Sequence, residues 1–264
     1  MNTDHIKRAT AAGWDTMSES YQRDSQIALD DVHYAPFAPG ERELNLLGQV
    51  DGKRVLELAC GGAQNSIALS RWGASTVGMD ISPTQLRRAL TLRSEAKTQV
   101  ELVMGDMELP RMFKPGSFDI VLSSFGWEFI PDLGVCFHEC YALLKPGGVM
   151  IVSTAHPLNA FVWDERQQAV LVTDYFNPPV EVWEDSVPDG HDPGTTFFHT
   201  FEEMFGLLTA EGFRIDKVLE PYPTALVAEA RESNHEPPYA GPYWDESRDR
   251  LLKVPFAIVY VASK

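Results

Sequence analysis

Between Arg54 and Ala155 short β-rich runs alternate with helical runs, and this rhythm leaves few folds open to the chain. Val55-Leu56-Glu57-Leu58-Ala59 reads as an apolar strand ending in the small residues Cys60-Gly61-Gly62-Ala63, after which Ile67, Ala68, Leu69 and Trp72 fall at helical spacing. A second strand, Thr76 to Met79, stops at Asp80; Ser82 is an N-cap and Pro83 opens a helix over 83–95. Val100 to Met104 and Phe118 to Leu122 read as the third and fourth strands. Leu133 to Leu144 is helical and stops at the breaker Lys145-Pro146-Gly147-Gly148, and Val149 to Thr154 is the fifth strand. Parallel neighbours need crossover connections, so the pattern predicts a doubly wound α/β fold whose mostly parallel sheet is covered on both faces.

The flanks are less regular. Residues 1–50 read as an N-terminal cap with Trp14 and Tyr21 on a helix and a break at Pro36 to Gly40. Positions 156–199 are rich in aromatics, Pro and acids and hold two strand-like pieces, Ala169 to Tyr175 and Val180 to Trp183, suggesting an inserted hairpin or lid. Thr200-Phe201-Glu202-Glu203 has capping-box spacing for a helix to about Glu211, Phe213 to Leu219 is a strand, 220–252 is a second insertion, and Phe256 to Val261 is the last strand. The expectation is a single domain over 1–264, with 51–155 as its core.

The 38 acidic against 22 basic residues give a formal charge of -16, which excludes nucleic acid as a natural partner because counterion release needs a basic surface. The sequence has no apolar run near the roughly 20 residues of a membrane span, and MNTDHIKRATAAGWD lacks the apolar stretch of a signal peptide, so no membrane association is expected. Cys60, Cys136 and Cys140 form no disulfide framework, which fits a reducing compartment and points to the cytoplasm. Oligomeric state is left open.

In an open parallel sheet, ligands bind beyond the carboxyl ends of the strands. The turn Ala59 to Ala63 lets a ligand approach the backbone and, with the helix start behind it, favours a negative group. Asp80 lies 19 residues after Gly61 at the end of the second strand, where a carboxylate can accept bonds from both hydroxyls of a ribose, or simply cap a turn. Gly105-Asp106-Met107, after the third strand, suits an adenine's amino group and face, or again a plain turn. The agreement of three consecutive strand ends is stronger than any one of them. The GxGxxG dinucleotide fingerprint is absent, which argues against a nicotinamide enzyme.

Over roughly residues 50–155 these motifs make the chain resemble the class I S-adenosylmethionine-dependent methyltransferases, especially the small-molecule branch with quinone-biosynthesis-like enzymes. The first motif matches Val55-Leu56-Glu57-Leu58-Ala59-Cys60-Gly61-Gly62-Ala63, with alanine at 59 and 63 where the family usually has glycine. Gly78-Met79-Asp80-Ile81-Ser82 matches the ribose acid, Asp106 the adenine-side acid, Phe118-Asp119-Ile120-Val121 the fourth strand and Leu144 to Gly148 the turn before the fifth. The resemblance implies a seven-stranded Rossmann-like sheet with inserted lids and S-adenosyl-L-methionine as cofactor. It assigns cofactor binding to Tyr21, Glu57, Ala59, Gly61, Asp80, Ile81, Gln85, Asp106, Met107 and Ser123. Trp14 and Tyr21 at helical spacing can equally be packing residues.

Such an enzyme needs a general base only when its acceptor is protonated. His156, just after the fifth strand, and Glu128, after the fourth, are the candidate catalytic residues, although His156-Pro157 can also simply turn the chain and Glu128 face water. Phe161, Trp163, Tyr175, Phe176, Trp183, Phe197, Phe198, Tyr239, Tyr243 and Trp244 are expected to roof an apolar acceptor pocket. Asn177-Pro178-Pro179-Val180 has the wrong place in the chain for an amide-binding motif, and Cys136 and Cys140 do not complete a zinc site, so no metal is expected. The reading is methyl transfer to an O, N or C nucleophile of a small, partly hydrophobic metabolite; the alternative is a noncatalytic S-adenosylmethionine-binding protein that presents its lids to a partner.

Overall fold

Within the central strands alternate residues face opposite ways, and both sets are apolar: Leu56 and Leu58 join one core cluster while Val55 joins another. A strand with two apolar faces must be covered on both. The computed structural model, which describes residues 3–183, 194–229, 239 and 241–264, shows how. The first half runs α1 (Thr3–Ser25), α2 (Glu41–Leu44), β1 (Arg54–Leu58), α3 (Gln64–Arg71), β2 (Ser75–Asp80), α4 (Pro83–Ala96), β3 (Glu101–Met104), β4 (Phe118–Ser124), α5 (Leu133–Leu143) and β5 (Leu144–Ala155). Beyond it lie β6 (Val162–Asp164), β7 (Ala169–Leu171), β8 (Glu181–Val182), β9 (Thr195–Thr196), α6 (Phe201–Ala210), β10 (Arg214–Leu219), α7 (Thr224–Glu229), α8 (Pro242–Leu251) and β11 (Ala257–Ser263).

The main sheet has seven strands in the order β10-β11-β5-β4-β1-β2-β3, with β11 antiparallel to both neighbours and the central pairings parallel. Phe137 and Cys140 of α5 and Met204 and Leu208 of α6 bury one face. Val32, Tyr34, Leu46 and Leu47 of the N-terminal cap help to bury the other. The order reverses beside β1, so the ends of β1, β2 and β4 open onto a common crevice.

Several sequence expectations change in detail. Lys145 to Gly148 does not break the chain but lies inside β5. Pairing slips from Phe118↔Leu144 to Ile120↔Val149, so these residues form a bulge, tied by Lys145 Nζ to Asp119 Oδ2 at 2.7 Å. The pieces at 169–175 and 180–183 shorten and do not pair with each other; β7 pairs with β6 and β8 with β9. The second insertion contains the unforeseen helix α8. Parts of both insertions, 184–193, 230–238 and 240, lie outside the described residues.

The cap is fixed by one buried carboxylate. Glu41, 5% exposed, accepts the Tyr34 hydroxyl at 2.7 Å and the backbone N–H groups of Leu46 and Leu47 at 2.8 and 2.7 Å. Truncation orphans three buried donors, each worth about 1–3 kcal/mol. Glu41→Ala is therefore expected to lower the thermal midpoint clearly in a calorimetric melt, while the exposed Glu43→Ala leaves it nearly unchanged.

Candidate functional site

The chain leaves β1 through three residues in the left-handed region, Ala59 (φ 49), Gly61 (φ 52) and Ala63 (φ 58). Glycine tolerates that conformation freely, whereas each alanine stores some strain. The turn is drawn to the end of β2: Asp80 Oδ2 accepts the Gly61 N–H at 2.8 Å, and Oδ1 accepts the Ser82 N–H at 2.8 Å. Asp80 is 7% exposed, and burial pushes its carboxyl up to about 6 even though the backbone N–H groups of Ser82, Gly61 and Ile81 favour the charged form. Glu57 is engaged differently, accepting the Ser66 N–H and hydroxyl at 2.9 and 2.5 Å; burial raises it to about 7. It steadies the first turn of α3.

These groups border a cleft enclosing about 990 Å³ of space open to solvent. Of the residues expected to bind cofactor, Tyr21, Glu57, Ala59, Gly61, Asp80, Ile81, Gln85, Asp106 and Met107 line it. Ser123 does not. Its side chain is fully buried, and the next residue, Ser124, lines the cleft instead, because successive strand side chains point to opposite faces.

Neither candidate base lies on the cleft wall. His156 has both ring nitrogens engaged: Nδ1 accepts the Leu158 N–H at 3.2 Å, capping a short turn, and Nε2 meets Glu220 Oε1 at 3.0 Å. That arrangement corrects the expectation of a base facing the acceptor and leaves His156 the chain-turning role. Glu128 is 3% exposed behind the wall, with Thr154 Oγ1 donating to its Oε2 at 3.2 Å. Burial raises its carboxyl to about 8, and it adds to the burial that lifts the wall residue Tyr21 to about 12.

The roof differs from the expected one. It comes chiefly from α1, through Lys7, Thr10, Trp14, Tyr21 and Gln22, with Phe125 and Phe129 following β4. Among the insertion aromatics, Trp183 packs behind this wall, its ring centroid 6.0 Å from Trp14 and 5.1 Å from Phe129, while Phe176 is 81% exposed. Lys7 reaches Asp106 Oδ2 at 2.6 Å and Glu108 Oε1 at 2.8 Å. Burial works to lower its ammonium pKa, but these two carboxylates outweigh burial and raise it. Gln64 donates to Gln22 at 2.5 Å, binding α1 to the start of α3. Lys7, Gln22, Gln64, Asn65, His33 and Phe125 were not singled out from the sequence. Only the helical pattern of the first residues hinted that α1 packs over the strand ends.

The donor set suits a ribonucleoside bearing a charged amino-acid tail: a carboxylate at the β2 edge, a second acid beside an apolar residue after β3, and an open glycine turn before α3. The first acid fits the ribose, the second the adenine, and the turn the tail's carboxylate. The comparisons with known proteins agree. Residues 56–152 match the family described as methyltransferase domain. Residues 56–152 thus form a methyltransferase domain.

Among curated relatives, this domain is similar to a ubiquinone biosynthesis O-methyltransferase from Xanthomonas campestris pv. campestris, 36% identical over 103 residues, which cover 39% of this chain and 43% of that protein. It is also similar to a demethylmenaquinone methyltransferase from Lactococcus lactis subsp. lactis, 34% identical over 44% of this chain and 48% of that protein. The chain thus spans less than half the length of the first curated relatives it matches. In structure it is similar to an S-adenosylmethionine-dependent methyltransferase from Mesorhizobium loti, with TM-score 0.66 and 23% identity over 84% of this chain and 95% of that one. The [4+2]-cyclase SpnF shares the fold too, with TM-score 0.62 and 17% identity over 98% and 96% of the two chains. One fold thus carries differently named activities. Among the described residues no helix is long and apolar enough to cross a membrane, and no cluster of three or more metal-ligating side chains forms.

Two predictions follow from this geometry. A Cβ at Gly126 would fall 2.6 Å from both Ala59 Cβ and Ser123 Oγ. Gly126→Ala should therefore destabilise the domain by about 1–3 kcal/mol, and adding Ala59→Gly should recover part of the loss, as read from urea unfolding. The second concerns pH. Glu57 and Glu128 sit at about 7 and about 8 against an ordinary 4.5, so the folded chain retains protons that the unfolded chain has released. Their contribution is complete below the unfolded range and is lost as pH rises through the folded values. His33, pulled down by burial to about 4, works oppositely, but only below its ordinary 6.5. Between pH 6.5 and 8 the thermal midpoint of the domain should fall, and Glu128→Gln should flatten that slope.

Proposed function

We propose that the chain transfers a methyl group from S-adenosylmethionine to a nucleophile of a small, partly hydrophobic metabolite of the quinone type. The reading rests above all on Asp80, a buried carboxylate held at the rim of the cleft by the Gly61 and Ser82 N–H groups. Such a group is costly to bury unless further donors reach it, and the two hydroxyls of a ribose supply them. In the same reading Gly61 and Gly62 give the cofactor's amino-acid end room beside α3, Ile81 and Met107 cover the adenine, and Asp106 accepts its amino group. Tyr21, Gln85 and the α1 roof close the tail end of the site.

When bound, the cofactor supplies a methyl already activated on a sulfonium. The residues around it have to orient the acceptor and exclude water, and orientation alone can contribute roughly 7–11 kcal/mol. Trp14, Tyr21, Phe125, Phe129, Ile27 and Ile130 provide an apolar, ring-lined wall suited to that task and to a flat acceptor. The family match and the names of the curated relatives support the quinone-type acceptor class. We further assign the chain to one domain, with the N-terminal cap as part of the site, working in the cytoplasm, where the buried free thiols Cys60, Cys136 and Cys140 stay reduced.

The test is calorimetric titration with S-adenosylhomocysteine. Wild-type protein should bind it. Asp80→Ala removes hydrogen bonds to a charged group, each worth about 1.5–3 kcal/mol, so affinity should drop by more than about tenfold. Wild-type affinity should also weaken as pH falls through about 6, where Asp80 gains its proton. Binding unaffected by Asp80→Ala would reject the assignment.

A further inference from the structure

Three glutamines from three helices meet over the turn that follows β1. Gln64 is the first residue of α3, Gln85 lies in the first turn of α4, and Gln22 approaches from the C-terminal end of α1. Gln64 Nε2 donates to Gln22 Oε1 at 2.5 Å and Gln22 Nε2 donates to Gln85 Oε1 at 3.4 Å, so the carboxamides form one chain with a direction. Gln64 and Gln85 are 6% and 2% exposed, and all three side chains border the cleft.

The glycines of the turn make room for this chain. A Cβ at Gly62 would fall 2.8 Å from Gln64 Oε1 and 3.0 Å from Gln22 Nε2, and one at Gly61 would fall 3.7 Å from Gln85 Oε1. The amides therefore lie directly against the two glycines. A primary amide carries two N–H donors and an acceptor oxygen. The chain engages one proton of Gln64 and one of Gln22, and its ends differ chemically: Gln85 presents an NH₂ group at one end and Gln64 a carbonyl oxygen at the other. The donor end sits in the first turn of a 14-residue helix, where the backbone dipole favours an anion. The acceptor end stands between Gly61 and Ser66 in the chain, whose N–H groups bind the carboxylates of Asp80 and Glu57, and these acids favour a cation.

We propose that this chain of neutral amides reads the amino-acid tail of the cofactor as a zwitterion: Gln85 Nε2 donates to its carboxylate, Gln64 Oε1 accepts from its ammonium, and Gln22 holds the two in register. The inference rests on the methyltransferase reading and gives each charge of the tail its own residue. A ligand that lacks one charge leaves one buried end of the chain unpaired, which is costly. The site therefore selects a tail bearing both groups over a tail bearing either alone.

The test is calorimetric titration of the whole chain with S-adenosylhomocysteine, with the adenosyl aminopropyl thioether, which lacks the carboxylate, and with the adenosyl carboxypropyl thioether, which lacks the ammonium. Wild-type protein should bind each analogue at least about tenfold more weakly than S-adenosylhomocysteine. Gln85→Met should abolish discrimination against the aminopropyl analogue and keep it against the carboxypropyl one, whereas Gln64→Met should do the reverse. Losses that add in both matched pairs, a reversed pairing, or wild-type protein that binds either analogue as tightly as S-adenosylhomocysteine would each overturn the assignment. A second measurement needs no variant and decides the matter if a substitution fails to fold. In wild-type protein with nitrogen-labelled glutamine, the Gln85 side-chain amide signals should shift with S-adenosylhomocysteine and the carboxypropyl analogue and hold their place with the aminopropyl one; equal shifts with both analogues would overturn the proposal. Failure of S-adenosylhomocysteine itself to bind would instead remove the methyltransferase reading beneath it.

Discussion

The site depends on a carboxylate whose local hydrogen bonds come from backbone amides. Asp80 draws the turn after β1 and the start of α4 together through its two oxygens, and its surroundings press it toward the neutral form. A buried carboxylate supported only by amide dipoles is stable when its remaining lone pairs find donors. The strain of Ala59 and Ala63 in left-handed backbone is the other half of the arrangement: that geometry turns the Gly61 N–H toward Asp80. Turn, acid and helix start therefore work as one unit.

Around this unit the N-terminal segment completes the cleft instead of merely covering the sheet. Lys7 neutralises the acids after β3, the Gln22–Gln64 pair fixes the C-terminal end of α1, and Asn65 and Ser124 hold the His33 backbone. The polar side chains at the strand ends are largely spent on the cap, while Trp14, Phe125, Phe129 and Ile130 make one stretch of the cleft wall aromatic and apolar. On the proposed reading, that division lets one cleft take a charged cofactor at one end and a flat, weakly polar molecule at the other.

The central sheet was legible in the sequence because its signals are local: two-sided apolar strands, Ser82 with Pro83 at a helix start, and an acid at each strand end. Asp80 was placed by counting from Gly61, and Asp106 by its position after the third strand. His156 was misjudged because position after β5 says nothing about which way a ring points, and its two nitrogens serve a turn and Glu220. Ser123 failed by a single step of strand alternation. Lys7 and His33 were invisible because their roles arise from contacts across 99 and 32 positions, to Asp106 and Asn65, and nothing in their local sequence encodes such partners. The bulge in β5 was read as a stop since Pro and Gly mark bulges and turns alike.

The measurement that bears most directly on this account is a crystal structure of the chain with S-adenosylhomocysteine. The account places the ribose hydroxyls on the Asp80 carboxylate, the adenine between Ile81 and Met107, and the sulfur facing the wall formed by Trp14, Phe125 and His33. A nucleoside seated elsewhere, or one whose sugar leaves Asp80 untouched, would contradict it.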